Sequence, residues 1–188
     1  MQNPICFYND FQFDGVCGAA IVYDYFGGKV ELYPITQGNL FPIEKITGRS
    51  VILLGYSPHP FNVMLDIEKK AHELIWIDYH LVAIQEAHRL KMNFRGMQEE
   101  HSDAGTLTWK YFYPEVDIPI PVNLIGRYAT NDYVAGDPVD VFNTYLSFAK
   151  HGPEDGGWET FLHDYSLTKL VSNDILKEYV KTQKREQD

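Results

Sequence analysis

The sequence predicts an α/β fold, with a mostly parallel sheet, helices on both of its faces and a helical C-terminal part. One observation is that short apolar runs alternate with segments of helical spacing from residue 4 to residue 90. Another is that several of these runs end in polar residues, as buried parallel strands do when they deliver side chains to one edge of a sheet. Open α/β sheets bind their ligands at that edge, so a site is expected there.

Four strands are predicted in this part of the chain, each from an apolar run bounded by turn residues. They are Pro4–Tyr8, Lys29–Ile35, Ser50–Leu54 and Leu74–Ile77. Strands that alternate with helices at this spacing pair in parallel through right-handed crossovers.

Three helices are predicted between and after these strands. Val16–Phe26 is rich in small apolar residues, which suits a helix packed closely on a sheet, and two glycines end it. Phe61–Ala71 is amphipathic, and residues 81–90 also have helical spacing.

Beyond Leu90 the pattern predicts only helices and loops. Ser102 or Asp103 is suited to cap the first of these helices. The predicted helices are Ala104–Tyr113, Val122–Tyr128, Pro138–Ala149, Trp158–Tyr165 and Ser166–Tyr179.

With 188 residues, of which 45% are hydrophobic, the chain is long enough to build one core. We expect an α/β domain over residues 1–130 and a helical extension over residues 131–188 that packs on the same domain. No apolar run approaches 18 residues and no charged-then-apolar leader is present, so we expect neither a membrane span nor a secretory signal and place the protein in the cytoplasm. Cys6 and Cys17 are expected to be buried apolar residues.

The formal net charge of −10 argues against a protein that grips long nucleic acid, because neutralising phosphates requires clustered lysine and arginine. The 16 basic residues are instead scattered. A small phosphorylated ligand held by a few local groups is compatible with this charge.

Three predicted strands are followed by short, mostly polar stretches at the same edge of the sheet. These are Asp10, Gln12 and Asp14 after the first strand, Gly55, Tyr56 and Ser57 after the third, and Asp78, Tyr79 and His80 after the fourth. Because parallel strands end at one edge, we expect these residues to lie close together.

Five segments, in this order along nearly the whole chain, resemble the DHH phosphoesterases, the family of RecJ exonucleases, nano-RNases and manganese pyrophosphatases. They are Asp14–Ala20 (an Asp-Gly that opens a helix of small residues), Val51–Ser57 (VILLGYS), Ile75–Ile84 (IWIDYHLVAI), Ser102–Phe112 (SDAGTLTWKYF) and Leu124–Thr130 (LIGRYAT).

The resemblance implies two divalent metal ions held by carboxylates and a histidine, since this family uses such a pair to attack phosphoesters. Asp10 and Asp14 match two ligand positions of its first motif, and His80 matches a histidine that contacts phosphate. Other positions depart from the family: Gln12 and Gly55 stand for carboxylates, Tyr79 stands for a metal-binding histidine, and Arg127 and Ala129 stand where the family is acidic. A guanidinium would repel metal ions and attract a phosphate.

These departures predict a pseudoenzyme with no catalytic residue, no metal ligand and no cofactor. The cleft is expected to keep contacts to a nucleotide-type ligand. The second, substrate-clamping domain of longer relatives is not expected. The candidate ligand-binding residues are Asp10, Gln12, Asp14, Tyr56, Ser57, Asp78, Tyr79, His80, His101, Ser102 and Arg127.

Several of these residues have a purely structural interpretation as well. Aspartate favours helix starts, which would explain Asp14. Asp78 can accept hydrogen bonds from neighbouring backbone groups, and Arg127 can form an ion pair with a nearby carboxylate. Capping alone would explain Ser102. For Tyr56 and Tyr79, packing competes with stacking on a base.

The leading functional hypothesis is that the protein sequesters a small nucleotide-type molecule, such as an immune second messenger, as a viral sponge in the host cytoplasm. One alternative is an active manganese-dependent phosphodiesterase for short or cyclic nucleotides that uses Asp10, Asp14, Asp78 and His80 for a single ion. Another is a protein-interaction module with a vestigial cleft. A homodimer is expected to cover the cleft.

Overall fold

The computed structural model describes residues 2–149 and 152–163. The strands are β1 (Ile5–Tyr8), β2 (Glu31–Pro34), β3 (Ser50–Leu54), β4 (Glu73–Asp78) and β5 (Arg95–Gln98). The helices are α1 (Phe13–Tyr25), α2 (Val63–Lys70), α3 (Leu81–Arg89), α4 (Ala104–Phe112), α5 (Ile120–Ala129), α6 (Pro138–Ala149) and α7 (Gly157–His163), with a short 3₁₀ turn at Ile43–Lys45. The predicted helix Ser166–Tyr179 lies outside the described residues.

The five strands form one sheet in the order β2-β1-β3-β4-β5, and every neighbouring pair is parallel. The central strands β1 and β3 pair from Ile5 with Val51 to Tyr8 with Leu54. The predicted α/β fold with a parallel sheet is therefore confirmed.

Alternate residues of each central strand enter opposite faces of the sheet, as the pleat requires. Val51 and Leu53 belong to a core cluster that also holds Met64 of α2 and Ile84 of α3. Ile52 and Leu54 belong to the cluster on the other face, with Ala19 of α1 and Leu107 of α4. Helices thus cover both faces, as predicted.

The helices that follow α4 form an outer layer. Their buried residues, among them Ile125 of α5, Phe142 of α6 and Trp158 of α7, form a third cluster with Ile21 of α1 and Trp109 of α4. This layer lies beside the carboxyl end of β1, because α5 and α6 pack next to the start of α1.

The prediction of only helices and loops beyond Leu90 is wrong, because Arg95–Gln98 forms strand β5 on β4. The sequence Arg-Gly-Met-Gln has no β-branched residue and no alternation, so it carries no strand signal. Gly96 has φ +138°, and a Cβ there would lie 1.9 Å from the backbone oxygen of Trp76. The strand therefore depends on contact with β4.

Small residues let α1 approach the sheet closely. A Cβ on Gly15 would lie 1.9 Å from the backbone oxygen of Asn9, and one on Gly18 would lie 3.3 Å from Leu54 and 3.1 Å from Thr108. Helix α1 begins at Phe13, three residues before the predicted start at Val16. The Asp-Gly pair consequently lies inside the first turn.

Cys6 and Cys17 are free and fully buried, as predicted. Burial raises the pKa of both thiols, so they remain protonated. Across residues 2–149 and 152–163, no helix has the length and apolar character needed to cross a bilayer.

Candidate functional site

From β1 the chain crosses to β2 at one edge of the sheet, and from β2 it returns to β3 on the other side of β1. The direction in which strands are added therefore reverses between β1 and β3. In open α/β sheets the crevice at such a reversal, outside the carboxyl ends of the strands, is where ligands bind. Gln12 follows β1 at this point, and Gly55 follows β3. The Tyr79 hydroxyl donates to Oε1 of Gln12 at 3.3 Å, and the Tyr79 ring lies 3.7 Å from the position that a Cβ of Gly55 would take.

Asp78 ends β4 and is completely buried. Its Oδ2 accepts from the Ser57 hydroxyl at 2.6 Å and from the Trp76 indole at 3.1 Å. Its Oδ1 accepts from the backbone N–H groups of Tyr79 at 2.8 Å and His80 at 3.0 Å. This carboxylate therefore fixes the loop between β4 and α3, which is the structural role that the sequence suggested for it.

The His80 ring is held by the same carboxylate. Its Nδ1 lies 2.6 Å from Oδ1 of Asp78, and the ring stacks on Tyr79 with 4.5 Å between centroids. The hydrogen bond to Asp78 raises the pKa of His80, against an opposing contribution from burial, because it stabilises the imidazolium. Since Nδ1 is engaged and about 46% of the side chain is exposed, Nε2 is the nitrogen left for a ligand.

His80 lines a cleft of about 480 Å³, which we call the His80 cleft. It lies between the loop after β3 and the first turns of α3. Its wall is formed by Gln37, Ser57, Pro58, His59, Pro60, Phe61, His80, Leu81, Val82, Ala83 and Glu86. Most of these side chains are apolar. The cleft also lies at the start of α3, where the first backbone N–H groups of a helix have no intrahelical acceptor. The cleft thus combines an apolar surface with the His80 imidazole, whose protonated form Asp78 stabilises, and with the Glu86 carboxylate.

A second group of carboxylates joins α1 to α4 beside the crevice. Oδ2 of Asp14 accepts from the backbone N–H of Ala104 at 3.1 Å, and Oδ1 of Asp103 accepts from that of Thr106 at 2.8 Å. Burial, and then the negative charge of Asp14, raise the pKa of Asp103. Asp103, not Ser102, is the residue that caps α4.

The Tyr79 phenol remains protonated at physiological pH. Burial raises its pKa above the ordinary value of 10.0, and the nearby Asp14 and Asp78 carboxylates raise it further. Tyr79 therefore donates to Gln12 as a neutral phenol.

The alternative with a single manganese ion uses Asp10, Asp14, Asp78 and His80 as ligands. The arrangement of these residues does not fit such an ion. All hydrogen-bonding directions of the Asp78 carboxylate are engaged by Ser57, Trp76, Tyr79 and His80. In the part of the chain that the structure describes, no group of three or more His, Cys, Asp or Glu side chains is placed to hold a metal.

Some predicted site residues do not contribute to the His80 cleft. Tyr56 is 1% exposed, and its hydroxyl donates to the Asn39 carbonyl, so the core holds its ring. His101 is exposed with φ +60°. Asp10 is exposed, and its charge, after burial, helps to raise the pKa of Tyr8 to about 12.

Arg127 lies in the last turn of α5, where it is paired with two carboxylates. Its Nε donates to Oδ2 of Asp132 at 3.1 Å, and its Nη2 lies 3.9 Å from Oδ2 of Asp137. This is the structural ion pair that the sequence offered as the alternative. Its role in phosphate binding stays a prediction.

Other residues of the site were not found from the sequence. Pro58, Phe61 and Val82 form the apolar wall of the His80 cleft, although nothing in their local pattern distinguishes them from core residues. The sequence indicated Asp103 as a possible helix cap, but nothing in it indicated that Asp103 lies near Asp14. These relationships arise between elements far apart in the chain.

No family model and no solved structure matches the chain. An uncharacterized protein of Acanthamoeba polyphaga mimivirus is similar to it, with 25% identity over 185 residues that cover 90% of this chain. The matching region makes up 42% of the viral protein's length.

Proposed function

We propose that the protein binds a small nucleotide-type ligand in the His80 cleft and holds it without cleaving it. The observation that carries this proposal is the Asp78–His80 pair, which orients the imidazole and favours its protonated form at the mouth of an apolar cleft. A protonated His80 would donate from Nε2 to a phosphate oxygen.

The surroundings of His80 support both parts of such a ligand. A phosphate beside His80 would also lie near the first turn of α3, where the helix dipole favours negative charge. The Pro58, Phe61 and Val82 side chains offer apolar surface to a base or another planar ring.

The crevice at β1 and β3 supports binding rather than hydrolysis. If the resemblance to DHH phosphoesterases reflects descent, Gln12, Gly55 and Tyr79 occupy positions that hold metal ions in that family. Here the amide and the neutral phenol bond to each other, and the glycine has no side chain. Neither group supplies the charge that stabilises a metal-bound hydroxide.

Sequestration of a nucleotide signal during infection is the biological role that we propose. The similarity to a mimivirus protein is compatible with a viral setting. A sponge needs only tight binding of its ligand.

The test is calorimetric titration of the purified protein with a panel of nucleotide signals, with and without manganese, followed by chromatography of the recovered ligand. We expect tight binding that is independent of manganese, with the ligand recovered intact. Binding only in the millimolar range for every nucleotide, or manganese-dependent cleavage products, would overturn the proposal.

A further inference from the structure

Helix α3 brings two ionisable side chains of opposite character to the His80 cleft. His80 caps the start of the helix, Glu86 lies six positions later, and both line the cleft. At the rise of an α-helix, six positions correspond to about 9 Å along the axis. Val82 and Ala83 also line the cleft and lie one turn before Glu86, on the same side of the helix. The cleft therefore has an imidazole at one end, a carboxylate at the other and apolar surface between them.

The Glu86 carboxylate is held by Arg89, one turn further along α3. Nε of Arg89 donates to Oε2 of Glu86 at 2.8 Å, and Nη2 donates to Oε1 at 2.5 Å. The hydrogen bond from Arg89 lowers the pKa of Glu86, so the carboxylate is ionised at physiological pH. A carboxylate has about four acceptor directions, which leaves each oxygen of Glu86 able to accept once more. The side chain is 32% exposed, so a ligand in the cleft can reach it.

The charge of Glu86 sets the direction in which a phosphorylated ligand lies. Because the screening length at physiological salt is about 8 Å, Glu86 repels a phosphate held at His80 only weakly. A phosphate beside Glu86 would instead meet an ionised carboxylate, since Arg89 is not part of the cleft wall. The phosphate therefore lies at His80, and the group that reaches Glu86 is a neutral one.

We infer that Glu86 selects nucleotides that present a neutral hydrogen-bond donor, either a ribose hydroxyl or a base amino group, at the end of the cleft away from the phosphate. An oxygen of Glu86 accepts from this donor, and Val82, which is 80% exposed, contacts the ligand between the two ends. A site that accepts a hydrogen bond discriminates strongly against a ligand without the donor, because the acceptor then loses water and gains no partner. The inference rests on the proposed function, since it names what lies opposite the phosphate that His80 contacts.

The experiment is calorimetric titration of the full chain with adenosine and guanosine 5′-monophosphates and with analogues that lack one donor. Purine riboside and inosine 5′-monophosphates lack the base amino group, and the 2′,3′-dideoxynucleotides lack both ribose hydroxyls. For at least one parent nucleotide, we expect the loss of a donor to weaken binding about tenfold, as a hydrogen bond to a charged group predicts. A loss with the amino-free analogue assigns the donor to the base, and a loss with the dideoxynucleotide assigns it to the ribose.

Glu86→Met removes both acceptor oxygens and keeps the length of the side chain. In this variant the parent nucleotide and its donor-free analogue should bind equally, whereas Glu86→Gln, which keeps one acceptor oxygen, should retain part of the difference. Glu68→Met is the matched control, because Glu68 is an exposed glutamate of α2 that does not line the cleft; it should leave the difference unchanged.

Equal affinity of the unmodified protein for all of these nucleotides would overturn the inference and leave the proposed function standing. A difference that persists in Glu86→Met would do the same, because the donor would then contact another residue. Failure of every nucleotide to bind, including the wider panel of signals, would overturn both.

Discussion

Nδ1 of His80 lies 2.6 Å from Oδ1 of Asp78, and the backbone N–H of His80 donates to the same oxygen at 3.0 Å. Two contacts from one residue to one buried atom hold the imidazole in a single orientation. This arrangement fixes the orientation of an exposed imidazole, stabilises its protonated form and leaves Nε2 available to a ligand. The expectations for ligand binding depend on this pair.

Replacing His80 with glutamine should weaken binding of phosphorylated ligands about tenfold or more, because a charge-assisted hydrogen bond to the phosphate is lost. Calorimetric dissociation constants measure the effect. His88→Ala is the control, since His88 is an exposed histidine in the last turn of the same helix. Similar losses in both variants would contradict a specific role for His80.

Affinity should fall as the pH rises through the raised pKa of His80, because only the protonated imidazole carries the charge that attracts phosphate. Dissociation constants measured between about pH 5.5 and about pH 8.5 test this, with a buffer of constant ionic strength. His80→Gln should abolish most of the dependence. A profile that is flat in the unmodified protein would remove His80 from the ligand contacts.

The same pair contributes to folding stability with a defined sign. The pKa of His80 is higher in the folded chain than the ordinary value of 6.5, so protonation favours the folded state. The contribution is complete below about pH 6.5 and is lost as the pH rises through the raised folded pKa. Urea unfolding at several pH values should show this decline, and His80→Gln should reduce it.

Asp78→Asn should destabilise the fold by about 3 kcal/mol, because an amide offers one acceptor oxygen to a set of five donors and leaves buried groups unpaired. Urea unfolding gives the change in free energy. Ser57→Ala removes one of these donors and should cost only about 1 kcal/mol. If both variants lose the same stability, the network is not centred on Asp78.

Gly126→Ala should destabilise the protein by about 2 kcal/mol through overpacking. A Cβ at this position would lie 2.3 Å from Oδ2 of the buried Asp103 and 2.8 Å from Oγ1 of Thr106. Gly152→Ala is the control, because no atom lies within 4 Å of the Cβ it would gain. Thermal unfolding of the two variants compares them, and equal midpoints would contradict the close approach of α5 to Asp103.

Arg127→Ala distinguishes the two interpretations of Arg127. If its pairs with Asp132 and Asp137 are its main role, the variant should lose less than about 1 kcal/mol of stability, since about 40% of the side chain is exposed, and it should bind ligand normally. Calorimetry and urea unfolding measure the two effects. A large loss of affinity would instead support the phosphate contact that the sequence predicted.

The central strands could be predicted because their signal is local. The apolar run at Ser50–Leu54 coincides with β3, and Pro138–Ala149 coincides with α6. Strand β5 could not be predicted, because Arg95 and Gly96 have no strand preference and are held by hydrogen bonds to β4. Here pairing with a neighbour overrides local propensity.

The candidate site was predictable only in part. Its place at the carboxyl edge follows from parallel strands, and the hydrogen bonds from Asp78 to its neighbours are local. The bond between Tyr79 and Gln12 joins residues 67 positions apart. No periodicity in the sequence encodes such a distance.

The outermost strands of the sheet differ from its centre in a way that bears on aggregation. Strand β2 ends in Pro34, which has no N–H to offer an added strand, and its Glu31 is paired with Arg49. On the opposite side, β5 carries an arginine and a glycine in an unusual conformation. Charge, proline and irregular backbone are the features that keep exposed strands from recruiting further chains. The protein should therefore stay dispersed at high concentration, and any pairing of copies should involve its helices or loops.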